Sequence, residues 1–266
     1  MLNYNNHYAH EKFIELCYQD LRMTCGHGAY HFFNQGFEGK YQSQYIDLVL
    51  SMLTSSYDEV RKQAATQIYA RWFFNDLFEE QLNTIYQGDN ILKQGYASVV
   101  CQFLKEDKYN DKIDRIEHAY QLLINDDNDE ILREIGVCIG YESYWLKPNA
   151  DKLFNLFVTS KAVKHSLYQL FDSLEKYPQN LSNLSDTILR LIKNITGNYS
   201  VNDQPLRMDV QESSLLAVLQ KLYDEATEDQ DKEALNICLD IWDTLLQSEM
   251  YSAIGAINIL DGGLLS

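Results

Sequence analysis

"SSYDEVRKQAATQIYARW", residues 55–72, decides the class of fold. Val60, Ala64, Ile68 and Trp72 recur every four residues, so on a helix they form one apolar stripe. Ser56 stands three residues before Glu59, the capping-box spacing in which two side chains satisfy the unpaired N–H groups of a first helical turn. The stretch is therefore predicted to be a helix that begins just after Ser56.

The same periodicity extends in both directions. Ile46, Val49, Leu50 and Leu53 precede it; Leu184, Ile188, Leu191, Ile192 and Ile195 follow. Leu215, Val218, Leu219 and Leu222 repeat the pattern, as do Leu235, Cys238, Leu239, Trp242, Leu245 and Leu246. No segment alternates with period two over a strand's length. With 12 glycines and 3 prolines in 266 residues, the helices are expected to be joined by short turns, and the fold class is all-α. "NITGNYSVNDQPLRMD" (194–209) is the exception. Its Asn, Gly and Ser content and Pro205 predict a loop at about 196–208, dividing the chain into a domain over 1–196 and a C-terminal helical cap over 197–266. Within the cap, helices are expected at about 209–225 and 232–247, with the acidic run "DEATEDQD" (224–231) as the turn between them.

Several helix starts repeat one another. "DDNDEILREIG" (126–136) pairs Asp127 with Glu130 at the capping-box spacing, "GDNILKQGYA" (88–97) has acidic and amide residues before an apolar pair, and "SKAVKHSLYQL" (160–170) echoes both. The cations that follow the apolar residue are Arg61, Lys93, Arg133 and Lys164, spaced by 32, 40 and 31 residues. Such a period is the mark of stacked two-helix units, each burying on its neighbours an apolar face it cannot bury alone. "DEVRKQAA" (58–65) resembles the second helix of a HEAT repeat, and the resemblance extends over roughly 42–175. It implies an α-solenoid of HEAT-like antiparallel helix pairs, entered through an N-terminal capping helix at about 8–24. It also implies that Asp58, Arg61, Asp129 and Arg133 form a ladder of polar contacts between successive repeats. "ALNICLDIWDTLLQSEMYSAIGAINILD" (234–261) resembles the C-terminal helical sensor region of bacterial antiviral STAND NTPases. The chain has no GxxxxGK[ST] phosphate loop, so that kinship implies a sensor-like module without the ATPase.

Charge bounds the partners. The formal net charge is −17, from 39 acidic and 22 basic residues, and a surface this negative repels phosphate backbones and favours a protein carrying a basic patch. The N-terminus lacks the basic and apolar regions of a secretory signal, and no run of about 18 apolar residues offers a membrane span. Cys17, Cys25, Cys101, Cys138 and Cys238 are odd in number and scattered, without a CxxC, as expected of reduced thiols in the cytoplasm.

One stretch invites a chemical reading. "TCGHGAYHFF" (24–33) places Cys25, His27 and His31 within seven residues, with His7 and His10 upstream. Two histidines four apart on a helix can share a metal, which makes a metal-dependent enzyme the alternative reading. Against it, Gly26 and Gly28 disfavour a helix through His27, and the spacing matches no zinc module. The plainer reading makes the stretch a join between capping helix and repeats, whose Tyr30, Phe32 and Phe33 close the end of the core. Two enzyme families on HEAT scaffolds are disfavoured. The di-iron hydroxylases need paired His-Glu dipeptides and this chain has only His10-Glu11, while the DNA glycosylases need a basic groove. The aromatic clusters Trp72, Phe73, Phe74, Phe78 and Tyr141, Tyr144, Trp145 are expected in the core between helices. The sequence thus points to a non-catalytic protein-binding scaffold or sensor module, with no cofactor, no metal site and no catalytic residue assigned.

Overall fold

The structure is a computed structural model that describes residues 2–104, 107–141, 151–177, 179–198 and 208–248. Every regular element among them is helical, as the periodicity predicts. The α-helices are α1 (Leu2–Gln19), α2 (Ala29–Gly36), α3 (Gln42–Leu53), α4 (Asp58–Asn75), α5 (Glu79–Tyr86), α6 (Asn90–Leu104), α7 (Ile113–Leu123), α8 (Asp129–Tyr141), α9 (Asp151–Val158), α10 (Leu167–Glu175), α11 (Ser185–Asn198), α12 (Met208–Glu228) and α13 (Lys232–Gln247). Short 3-10 turns occupy Leu21–Cys25, Asp107–Lys112 and Lys161–His165. The chain divides into two compact units, Met1–Ile135 and Gly136–Ser266. Most of the loop expected at about 196–208 lies outside the described residues, as do Tyr144, Trp145 and the segment from 249 onward.

Helix starts differ in detail from the capping boxes read in the sequence. α4 begins at Asp58 behind Tyr57, which offers no side-chain cap, and Ser55 rather than Ser56 accepts the Tyr57 N–H at 3.2 Å. Asp58 and Glu59 in the first turn supply the negative charge that a helix N-terminus favours. Ahead of α8 the cap is Asn128, whose Oδ1 accepts the N–H groups of Glu130 and Ile131 at 3.0 and 3.2 Å. Asp89 caps α6 by accepting the Leu92 N–H at 3.2 Å. The capping helix ends at Gln19 instead of about 24, because Asp20 starts a separate turn by accepting the Arg22 N–H at 3.0 Å. Most of "DEATEDQD" belongs to α12. Only 229–231 turn, and Asp231 then caps α13 through the Glu233 and Ala234 N–H groups.

In the first unit α4 is the central helix. Val60, Ala64, Ala65, Ile68, Tyr69 and Phe73 are all sealed from solvent, so it buries more than one stripe. Trp72, by contrast, is only half-buried and lies under the Arg115 guanidinium, 4.7 Å from its ring. α6 packs closely along α4. A Cβ on Gly95 would fall 2.2 Å from the Lys62 carbonyl oxygen, so the two backbones meet where Gly95 has no side chain. Around that contact Tyr96 meets the Tyr69 ring edge-on at 4.8 Å and Phe103 lies 4.7 Å from Phe73. The last carbonyls of α4 are satisfied from the α7 side. Arg115 donates to Trp72 and Phe73 at 2.8 and 3.1 Å, and Lys112 donates to Phe73 at 2.9 Å. Arg115 also pairs with Asp76, the left-handed residue that ends the helix.

The expected polar ladder has different partners. Arg61 meets Asp58 at 3.5 Å and pairs with Asp89, 28 residues on. Lys93 pairs with Asp126 at 2.9 Å, and Gln94 donates to Glu130 at 2.5 Å. Arg133 is exposed and forms no ion pair among the described residues. Arg61 thus keeps Asp58 within its own first turn, and both Arg61 and Lys93 also reach the acidic residue that precedes the helix after next.

In the second unit α11 packs on α13 and α10 on α12. Asn194 bonds the Val158 and Ser160 carbonyls at 2.9 and 3.0 Å, and Lys221 bonds the last carbonyls of α10's turn, Glu175 and Tyr177.

A Gly95→Val substitution tests the α4–α6 contact. Removing a mid-helix glycine favours the helix by no more than about 1 kcal/mol, whereas forcing a side chain against a backbone carbonyl costs about 1–3 kcal/mol. Net destabilisation is expected in urea unfolding. A stabilised variant would show that the helices separate freely.

Candidate functional site

The histidine and cysteine residues singled out in the sequence do not come together. His27 lies in the turn before α2 and His31 in its first turn, and both are exposed. Among the described residues no group of three or more His, Cys, Asp or Glu side chains is placed to hold a metal ion. Cys25 is exposed, though partial burial still pushes its thiol pKa up. His7 bonds the Tyr41 hydroxyl at 3.2 Å.

His10 has a structural place. It is 5% exposed, bonds the buried Tyr45 hydroxyl at 2.7 Å and stacks on Tyr41. Tyr45 in turn touches Phe13, Phe33 and Phe37, and its ring occupies the space a Cβ on Gly36 would need. Desolvation holds the His10 pKa below its ordinary 6.5; a Gln35 hydrogen bond opposes the shift and the His7 charge adds to it. Of the three aromatics expected to close this core, Phe33 is sealed and Phe32 stacks on Phe13 at 4.3 Å. Tyr30 instead stands 59% exposed at the mouth of a cleft.

That cleft is the site. It has a volume of about 350 Å³ and lies wholly within the first unit. Its floor is a second, polar stripe on α4, Gln63, Gln67 and Arg71, spaced four residues apart and therefore on one face. Cys25 and Gly26, Tyr30 and Asn34 of α2, and Val99, Gln102 and Phe103 of α6 form the walls, with Phe74 and Tyr109 at one end.

Two floor residues are buried polar groups with unmet bonding capacity. Arg71 is 7% exposed and Gln67 is 4% exposed. The guanidinium makes one hydrogen bond, Nη2 to Asn34 Oδ1 at 2.7 Å, and lies 4.9 Å from the Phe37 ring centre. Arg71 forms no ion pair. Its Nε–H and the Gln67 Oε1 are both buried without a partner. Burial lowers the Arg71 pKa, countered by the Tyr30 and Glu38 charges, but an arginine stays protonated at any physiological pH. The cleft therefore holds one positive charge and no carboxylate in a chain of net charge −17.

Reading the sequence missed this stripe. Its signal is present: Gln63, Gln67 and Arg71 form a polar row at helical spacing, offset by one residue from the apolar row Ala64, Ile68 and Trp72. The eye follows the apolar stripe because it sets the fold, and a polar stripe on the same helix reads as its solvent face.

Two outcomes follow from these environments. In Arg71→Met and Gln67→Met, similar volume is kept while an unpaired buried polar group is removed, so each variant is expected to melt a few degrees higher. A lower melting temperature would show the groups to be satisfied. For His10, the unfolded chain binds its proton near pH 6.5 and the folded chain only at lower pH. Stability is therefore lost as pH falls through about 6.5 towards the folded value. His10→Gln is expected to flatten that part of the stability–pH profile in urea titrations.

Compared with known proteins, this chain matches no family model, no curated protein and no solved structure.

Proposed function

We propose that the resemblance over roughly 42–175 reflects HEAT-like antiparallel helix pairs, an α-solenoid, and that the protein is a non-catalytic scaffold or sensor module that recognises a protein partner. One observation carries the reading: the same kind of contact recurs one helix pair apart. Arg61 of α4 pairs with Asp89 at the start of α6, and Lys93 of α6 pairs with Asp126 ahead of α8. Stacked repeats produce such periodic cross-contacts because each unit meets its neighbour through equivalent positions.

The chemistry of the cleft favours recognition over turnover. Partial burial pushes the pKa of its sole thiol, Cys25, up, which disfavours the thiolate, and no histidine or carboxylate lines the cleft to act as a base. Charge selects the partner's class. The surplus of acids attracts a basic patch and repels a nucleic-acid backbone. Along α1 and the turn after it, Tyr8, Leu16, Tyr18 and Met23 are all more than 40% exposed, the kind of side chains that anchor protein contacts. No helix among the described residues is long and apolar enough to cross a membrane. Five thiols without a disulfide suit a reducing compartment such as the cytoplasm. The resemblance of 234–261 to antiviral sensor regions extends the reading to a place in a bacterial defence or signalling complex.

Affinity capture on the immobilised protein, run across a salt series, tests this. A specific protein is expected to be retained at low salt and released as the screening length falls below about 8 Å. Retention no better than on an unrelated protein of equal negative charge would sink the proposal.

A further inference from the structure

We infer that the cleft between α2, α4 and α6 binds a carboxylate that carries an amide N–H and an apolar side chain beside it, as the C-terminal residue of a protein does. The inference rests on the recognition reading above and names what the cleft takes from the partner.

Arg71 carries the argument. A guanidinium removed from water is stable only with compensating acceptors, and here it has a single neutral one, Asn34. Nε–H is left over, on the edge of the guanidinium that forms paired bonds with a carboxylate. Gln67, one turn earlier on the same face, has the opposite need: a buried oxygen lacking a donor. A simple anion satisfies the first and leaves the second. A group that accepts at Arg71 and donates at Gln67 satisfies both, and neighbours one helical turn apart lie about 5–6 Å from each other, within the span of one acylated amino acid.

Three further features narrow the class. Arg71 is the only cation lining the cleft, which matches a monoanion and leaves a phosphate dianion half compensated in an acidic protein. Val99, Phe103 and Phe74 provide an apolar wall for a side chain. The volume of about 350 Å³ admits one residue, with the chain before it leaving past Tyr30 and Gln102, both exposed. Capture of a terminal carboxylate by converging N–H donors is an established way to recognise chain ends, and here a guanidinium offers the donors.

Cys25 provides the readout, being the one exposed cysteine of the five and a lining residue of the cleft. Its alkylation by iodoacetamide is followed with N-acetyl-L-leucine, N-acetyl-L-leucinamide, inorganic phosphate, and a short peptide ending in leucine with a free or amidated terminus. The free acids are expected to slow alkylation and the amides to have no effect. Arg71→Met, the variant expected to fold with undiminished stability, should weaken protection by the acids about tenfold or more. Tighter binding of the free-acid peptide than of N-acetyl-L-leucine assigns the ligand to a protein terminus. Equal affinity supports the site but assigns it to a free acylated amino acid, which removes this cleft from the protein-recognition reading. Equal effects of acid and amide, no protection by either, or stronger protection by phosphate would overturn the inference. None of these results bears on capture through the acidic surface, which has its own salt test.

Discussion

The first unit depends on how closely α6 approaches α4 at Gly95. A side chain there would collide with the Lys62 carbonyl, and its absence lets the two helices run together along their length. Glycine inside a helix costs about 1 kcal/mol relative to alanine. The contact offsets that cost by sealing Tyr69 and Phe73 against Tyr96 and Phe103, where large aromatic surfaces leave water. It also sets the hydrogen bond from Thr66 to the Gly95 carbonyl at 3.2 Å. With α6 held at that distance, Val99, Gln102 and Phe103 form the far wall of the cleft over Gln63, Gln67 and Arg71. The site exists because the helices are that close.

Cations in this unit are treated in two ways. Arg61, Lys93 and Arg115 each meet a carboxylate, and Lys112 and Arg115 neutralise the negative end of α4. Arg71 lies only a turn from that end, is more buried than any of them, and forms no ion pair among the described residues, the Glu38 charge acting on it only at longer range. In a chain with 39 acidic residues a partner for one arginine would be easy to supply. Its lack of an ion pair is informative: the fold uses ion pairs at its joints and none at the floor of this cleft.

The all-α class was legible because period-four stripes such as Val60, Ala64 and Ile68 are dictated by burial alone, and burial is what the structure repeats. The cation spacing was legible as well, but its partners were not. Asp89 and Asp126 take the cross-helix contacts because such a contact depends on the relative placement of two elements, which local sequence does not encode. Helix starts slipped by a residue or two for a related reason: Ser55, Ser56, Asp127 and Asn128 all have capping chemistry, and chain geometry selects among them. The histidines show that proximity in sequence is not convergence. His10 turns inward to Tyr45, while His27 and His31 face solvent. The polar stripe of the cleft escaped notice because a glutamine or arginine in a helix is ordinary until three dimensions show it buried.

The end of α4 has a consequence for the order in which the chain is made. Its last carbonyls are held by Lys112 and Arg115, which lie 39 to 43 residues further along. During synthesis the Trp72 carbonyl already has the Asp76 N–H at 3.1 Å, but the Phe73 carbonyl and the Asp76 carboxylate gain their protein partners only once the segment carrying Lys112 and Arg115 has followed. The end of α4 is therefore closed by chain made well after the helix itself, which ties its last turn to the placement of α7.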